Sequence, residues 1–180
     1  MKIEKIEYTH RETCLEAVMA YEESPKKKPT IIIFHAWAGR DAFVIEKAQW
    51  LSSLGYVGCA VDMYGKGVLG KTPEENARLI DPFMQDREYL RERMFAAIEM
   101  LKKHPMVDAQ NLGAIGFCFG GLCALDLARS GAPLKGVVSF HGLLNAPEPF
   151  ESRGINAKIL VLHGHDDPST LKQAQGLRSH

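Results

Sequence analysis

This sequence predicts an α/β fold built on a mostly parallel, doubly wound sheet, and two observations carry the prediction. Short apolar runs bounded by Gly or Pro alternate with longer segments of helical period. The runs are mostly unbroken by polar residues, as strands covered on both faces require. In chain order, residues 3–8 and 14–21 are expected as antiparallel edge strands, and 30–34 as the first parallel strand. Residues 41–54 set Phe43, Val44, Ala48 and Leu51 at helical spacing and stop before Gly55, a helix with a C-terminal glycine. A strand over 56–61 follows. The longer helix is 86–103, with Leu90, Met94, Ala97, Ile98 and Leu101 on one stripe and His104-Pro105 closing it. A strand at 111–117 leads into a helix at 120–129, which Gly131 and Pro133 end. Strands at 134–140 and 157–162 complete the pattern. Residues 1–180 are read as one domain, without repeats or low-complexity segments.

Composition narrows the function classes. Lys plus Arg and Asp plus Glu each number 22, so there is no basic field to attract nucleic acid. No run approaches the 18 or so apolar residues of a membrane span, and the N-terminus lacks a signal-peptide core. Four cysteines without a CxxC pair argue for reduced thiols and a cytoplasmic protein. Cys14 and Cys59 are expected to pack within strands, and Cys123 within a helix. Neither a cofactor nor a metal is expected, because no HxxxH, CxxC, GxGxxG or GK[ST] spacing occurs.

Ligands of such sheets bind outside the carboxyl ends of the strands. The residues there are His35-Ala36-Trp37, Asp62-Met63-Tyr64, Cys118, His141-Gly142 and the stretch from His163 to Asp167. Gly116-Phe117-Cys118-Phe119-Gly120-Gly121 lies between a strand and a helix, in the small-x-nucleophile-x-small arrangement of a nucleophile elbow. Glycines are needed because a side chain at either flank would strike the neighbouring strand or helix. The helix N-terminus is expected to favour the Cys118 thiolate. The same turn predicts an oxyanion hole from the backbone N–H groups of Phe119 and Trp37.

These residues resemble the dienelactone hydrolase family of α/β-hydrolases. Its GxCxGG elbow is matched by Gly116, Cys118, Gly120 and Gly121, and its HGxxDP-like segment by His163-Gly164-His165-Asp166-Asp167-Pro168. Asp62-Met63-Tyr64-Gly65 and Trp37-Ala38-Gly39 are similar to its strand-end and oxyanion-loop segments. The resemblance implies an α/β-hydrolase fold and a hydrolase of small esters or lactones. Cys118 would be its nucleophile and Asp167 its acid, orienting a histidine. It also implies that Arg78 is a candidate for substrate contact; Tyr64 is a further candidate as an apolar wall, and the strand-end positions of His141 and His165, which could face the cleft, make them the best substitutes for a catalytic histidine. The sequence departs from the family in two places. Ala36 stands where characteristic members have a glutamate that interacts with the thiol. Only residues 168–180 follow Asp167, whereas a further βαβ unit needs about 30. The chain is therefore expected to lack the last elements of the fold, and His180 is a poor candidate base. Two rival readings remain: a catalytically impaired ligand-binding module and a redox-active thiol protein. Apolar surface left uncovered by the shortened end predicts a homodimer or poor solubility.

Overall fold

Apolar runs and polar punctuation sort into seven strands and four helices over the described residues, 1–147 and 154–167 of a computed structural model. Pro168 and residues 169–180, with His180 among them, lie outside the described residues. The strands are β1 (Lys2–His10), β2 (Thr13–Tyr21), β3 (Lys28–Phe34), β4 (Val57–Ala60), β5 (Val107–Phe117), β6 (Leu134–Phe140) and β7 (Lys158–Leu162). They form one sheet in the order β1-β2-β4-β3-β5-β6-β7. The pairs from β4 through β7 are parallel, while β1–β2 and β2–β4 are antiparallel. Only β1 is an edge on that side; β2, expected at an edge, is enclosed between β1 and β4 and buried along most of its length.

The helices are α1 (Ala42–Ser53), α2 (Pro73–Gln85), α3 (Arg87–Lys102) and α4 (Phe119–Arg129). Period-2 alternation divides each strand between two layers. Ile33 and Ala60 meet Val44, Ala48 and Leu51 of α1 on one face. Ile32 and Phe34 point the other way, into the cluster shared by α3 and α4 that holds Met94, Ile98, Leu101 and Leu122. Full burial of each such side chain contributes about 1.5–3 kcal/mol. Asp41 caps α1 by accepting from the Val44 N–H at 3.3 Å.

Helix α2 is not among the elements expected from the sequence. Its start is marked by Thr72, whose hydroxyl accepts from the Glu75 N–H at 3.2 Å, and by Pro73 in the first turn. Cys14 also departs from expectation. It is exposed, because it falls on the outward face of the β1–β2 hairpin, whereas Cys59 and Cys123 are buried. At the other end of the sheet, β7 is exposed along its whole length. Beside it a groove of about 550 Å³ is lined by Ile31, Tyr56, Ile115 and Ile159, among others. No helix is long and apolar enough to cross a membrane among the described residues.

Candidate active site

Parallel strands put the carboxyl ends of β3 to β7 along one edge of the sheet. Cys118 stands at the centre of that edge, between β5 and α4. Its backbone is held at φ 55° and ψ −115°, a region costly for a residue with a Cβ. Two hydrogen bonds hold it there: the Cys118 N–H donates to Phe140 O, and Cys118 O accepts from the Gly121 N–H, both at 2.9 Å. The flanking glycines are demanded by contact. A Cβ on Gly116 would lie 1.8 Å from Gly120 O, and one on Gly120 would lie 2.2 Å from Phe34 O. One on Gly121 would lie 2.7 Å from the Gly142 Cα, so the end of β6 presses directly against the turn.

The backbone N–H groups of Phe119 and Trp37 lie near enough to the Cys118 sulfur to act on its ionisation. Both favour the thiolate, yet they do not prevail. Burial pushes the thiol above its ordinary pKa, and the Asp167 charge adds to the shift. Desolvation of the charged sulfur outweighs what the two amides contribute. Tyr64 braces the second donor, its hydroxyl donating to Trp37 O at 3.0 Å. The Tyr64 ring stacks on Phe119 with centroids 6.0 Å apart and meets His35 edge-on at 4.8 Å. Burial raises the Tyr64 hydroxyl well above the usual phenol range.

Other strand-end groups are structural. His35 is fully buried; its Nε2 accepts from the Met63 N–H at 3.2 Å, so Nδ1 carries the proton that it donates to Ala36 O at 2.6 Å. Burial lowers its pKa, which keeps the ring neutral. Asp62 accepts from the N–H groups of Tyr64 and Gly65 at 2.9 and 3.1 Å and caps that turn. Arg78 is exposed on α2, with no ion pair among the described residues, and His165 is exposed beyond β7.

The ends of β6 and β7 bring together His141, His163 and Asp167. The His141 N–H donates to Leu162 O at 2.8 Å, with His141 itself at φ 55°. The Asp167 N–H donates to Gly164 O at 3.2 Å, folding the chain so that its carboxylate returns over His163. His141 Nδ1 contacts Asp167 Oδ2, and His163 Nε2 lies 3.5 Å from the same oxygen. His163 was not singled out in the sequence as an Asp167 neighbour, although its i, i+4 spacing across a glycine was available.

A model of the dienelactone hydrolase family matches residues 15–180. The chain belongs to this family. A dienelactone hydrolase-like promiscuous phosphotriesterase, P91, from metagenomic libraries superposes with a TM-score of 0.88 at 33% identity, covering 97% of this chain and 75% of that one. A probable 2-oxo-3-(5-oxofuran-2-ylidene)propanoate lactonase of Bradyrhizobium sp. is 29% identical over 154 residues, 82% of this chain and 58% of that protein. An uncharacterized protein of Caenorhabditis elegans, K02A2.1, is 46% identical over 86 residues, 46% of this chain and 54% of that one. These matches thus span somewhat over half the length of the two curated relatives. Within this dienelactone hydrolase family member, the sheet edge gathers Cys118, two main-chain donors and Asp167, and leaves Arg78 on the surface of α2.

Proposed function

We propose that this chain carries the acyl-transfer site of a hydrolase acting on small esters or lactones, with Cys118 as nucleophile. The observation that supports this reading is the convergence of the Phe119 and Trp37 N–H groups on a sulfur held at a strained turn. Donors aimed there also serve the oxygen of a carbonyl under attack by that sulfur. The Cys118 thiol gives its proton to solvent, Sγ adds to the carbonyl carbon, the oxyanion accepts from both N–H groups, and the alkoxide takes up a proton as it departs, leaving a thioester. Water then cleaves the thioester. His141 is the proton carrier the described residues offer: Asp167 holds its Nδ1, and Nε2 stays free for water or leaving group. Tyr64, Trp37 and Phe119 supply apolar wall. One relative is named as a probable lactonase, which suits the same chemistry. Free thiols at every cysteine fit the reducing cytoplasm.

A second reading, a ligand-binding module with impaired turnover, has its own support. No histidine hydrogen-bonds to the Cys118 sulfur among the described residues, and the thiol is held protonated. One experiment separates the two. Incubated with 4-nitrophenyl acetate and a small aliphatic lactone, the chain is expected to show a burst of acylation on the Cys118 peptide followed by slow turnover. Cys118→Ala is expected to lower the rate at least ~100-fold. Equal rates for both proteins would overturn the hydrolase reading, and binding without acylation would establish the second.

A further inference from the structure

We infer that His141, His163 and Asp167 form a binding site for a divalent transition-metal ion such as Zn²⁺ at the ends of β6 and β7. Each residue offers one ligand atom, and the three atoms lie within 4.8 Å of one another. Two imidazoles and a carboxylate are a donor set that suits Zn²⁺ and leaves a further position for water. Bonds of about 2.1 Å in a tetrahedral site set donor atoms roughly 3.4 Å apart. His163 Nε2 and Asp167 Oδ2 stand at 3.5 Å, which is that separation and is too long for the hydrogen bond it would otherwise be.

An independent observation comes from His163 itself. Its side chain is nine-tenths buried, and neither ring nitrogen has a hydrogen-bond partner among the described residues. Burying an imidazole without a partner costs free energy, and a metal ion bonded to Nε2 removes half of that deficit. The third ligand is adjustable. His141 is 59% exposed, so its ring can withdraw from close contact with Asp167 to the metal-ligand separation. Metal on Nδ1 requires the other tautomer, with the proton on Nε2. The backbone already holds the ligands in place: the His141 N–H bond to Leu162 O ties the two strand ends together, and the 164–167 turn returns the carboxylate. Two neutral imidazoles and one carboxylate leave net charge +1 with the ion, which fits a half-open location. Bound metal would occupy the Asp167 oxygen and the His141 nitrogen that the proposed proton relay uses, making it an inhibitor. The site stands on its own geometry and survives if the hydrolase reading fails.

The test is a calorimetric titration of the metal-stripped chain with ZnCl₂ in a non-chelating buffer, repeated with Co²⁺ and followed by visible absorption. One ion per chain is expected. Affinity should fall at least tenfold in His141→Ala, His163→Gln and Asp167→Asn. It should be unchanged in Cys118→Ala, and the Co²⁺ spectrum should lack sulfur-to-metal charge transfer. His141→Ala alters an exposed side chain, so its thermal melt should match that of the unaltered protein, keeping loss of binding distinct from unfolding. Binding that survives both His141→Ala and His163→Gln would overturn the site, as would binding that vanishes in Cys118→Ala.

Discussion

At the scale of single residues, Cys118 is where opposing influences meet. Two main-chain N–H groups stabilise the thiolate, while burial and the nearby Asp167 carboxylate stabilise the thiol, and the second pair wins. A raised pKa means that the reactive anion is scarce at neutral pH and grows as pH climbs beyond the ordinary thiol value of about 8.5. Iodoacetamide labelling of the Cys118 peptide should therefore quicken continuously from pH 7 to pH 9.5. A rate that levels off near pH 7 would contradict the balance. Buried Cys59, with its pKa pushed up to about 12, is an internal control that should stay unlabelled in the folded chain. The turn was legible from Gly116, Gly120 and Gly121, because close backbone approach leaves no alternative residue. The sulfur's ionisation was not, since it depends on how much of Trp37, Tyr64 and the β7 end crowds it.

Among elements, α3 does more than close the core. Arg93 projects from it and is 1% exposed, with no carboxylate against its guanidinium in the described hydrogen bonds. It donates to Met63 O and His10 Nδ1, both at 2.8 Å, to Thr13 Oγ1 at 3.2 Å and to the Tyr89 hydroxyl. The rings of Phe83 and Tyr89 lie 5.6 and 5.1 Å from its guanidinium carbon. Arg93 thus fastens the 62–65 turn, and through it Tyr64, to a helix and to the β1–β2 hairpin. Arg93→Ala is expected to destabilise by about 3 kcal/mol in urea unfolding, combining a cavity with orphaned buried acceptors. Arg93→Lys should recover little, because one ammonium cannot replace a planar fork of donors. Full recovery by lysine would show that only charge matters there. In sequence, Arg93 sits at the margin of an apolar stripe and looks like a solvated helix residue. The α2 helix was missed because its mean character is polar, although Thr72, Pro73 and Glu75 mark its start.

For the whole molecule, the two ends of the sheet differ. One end is closed by the β1–β2 hairpin. At the other, Ile159, Leu160, Val161 and Leu162 are 42%, 51%, 39% and 44% exposed, beside the apolar groove. Among the described residues β7 is an apolar edge strand, and such an edge offers main-chain groups to another sheet. We predict that a second copy pairs along β7, so that sedimentation at tens of micromolar shows a dimer. Leu160→Lys should restore a monomer without lowering the melting temperature by more than a few degrees. A monomer at those concentrations in the unaltered chain would contradict this.

The order of strands and helices, the parallel centre of the sheet and the glycine-bounded cysteine were determined by local chemistry: hydrophobic period, helix-ending residues and turn sterics act within a few residues. Tertiary structure alone decided three things. It set Asp167 between His141 and His163, buried Arg93 under the 62–65 turn, and raised the Cys118 thiol. Each depends on the distance between groups remote in the chain and on the water removed from around them, and neither quantity is written in a linear pattern.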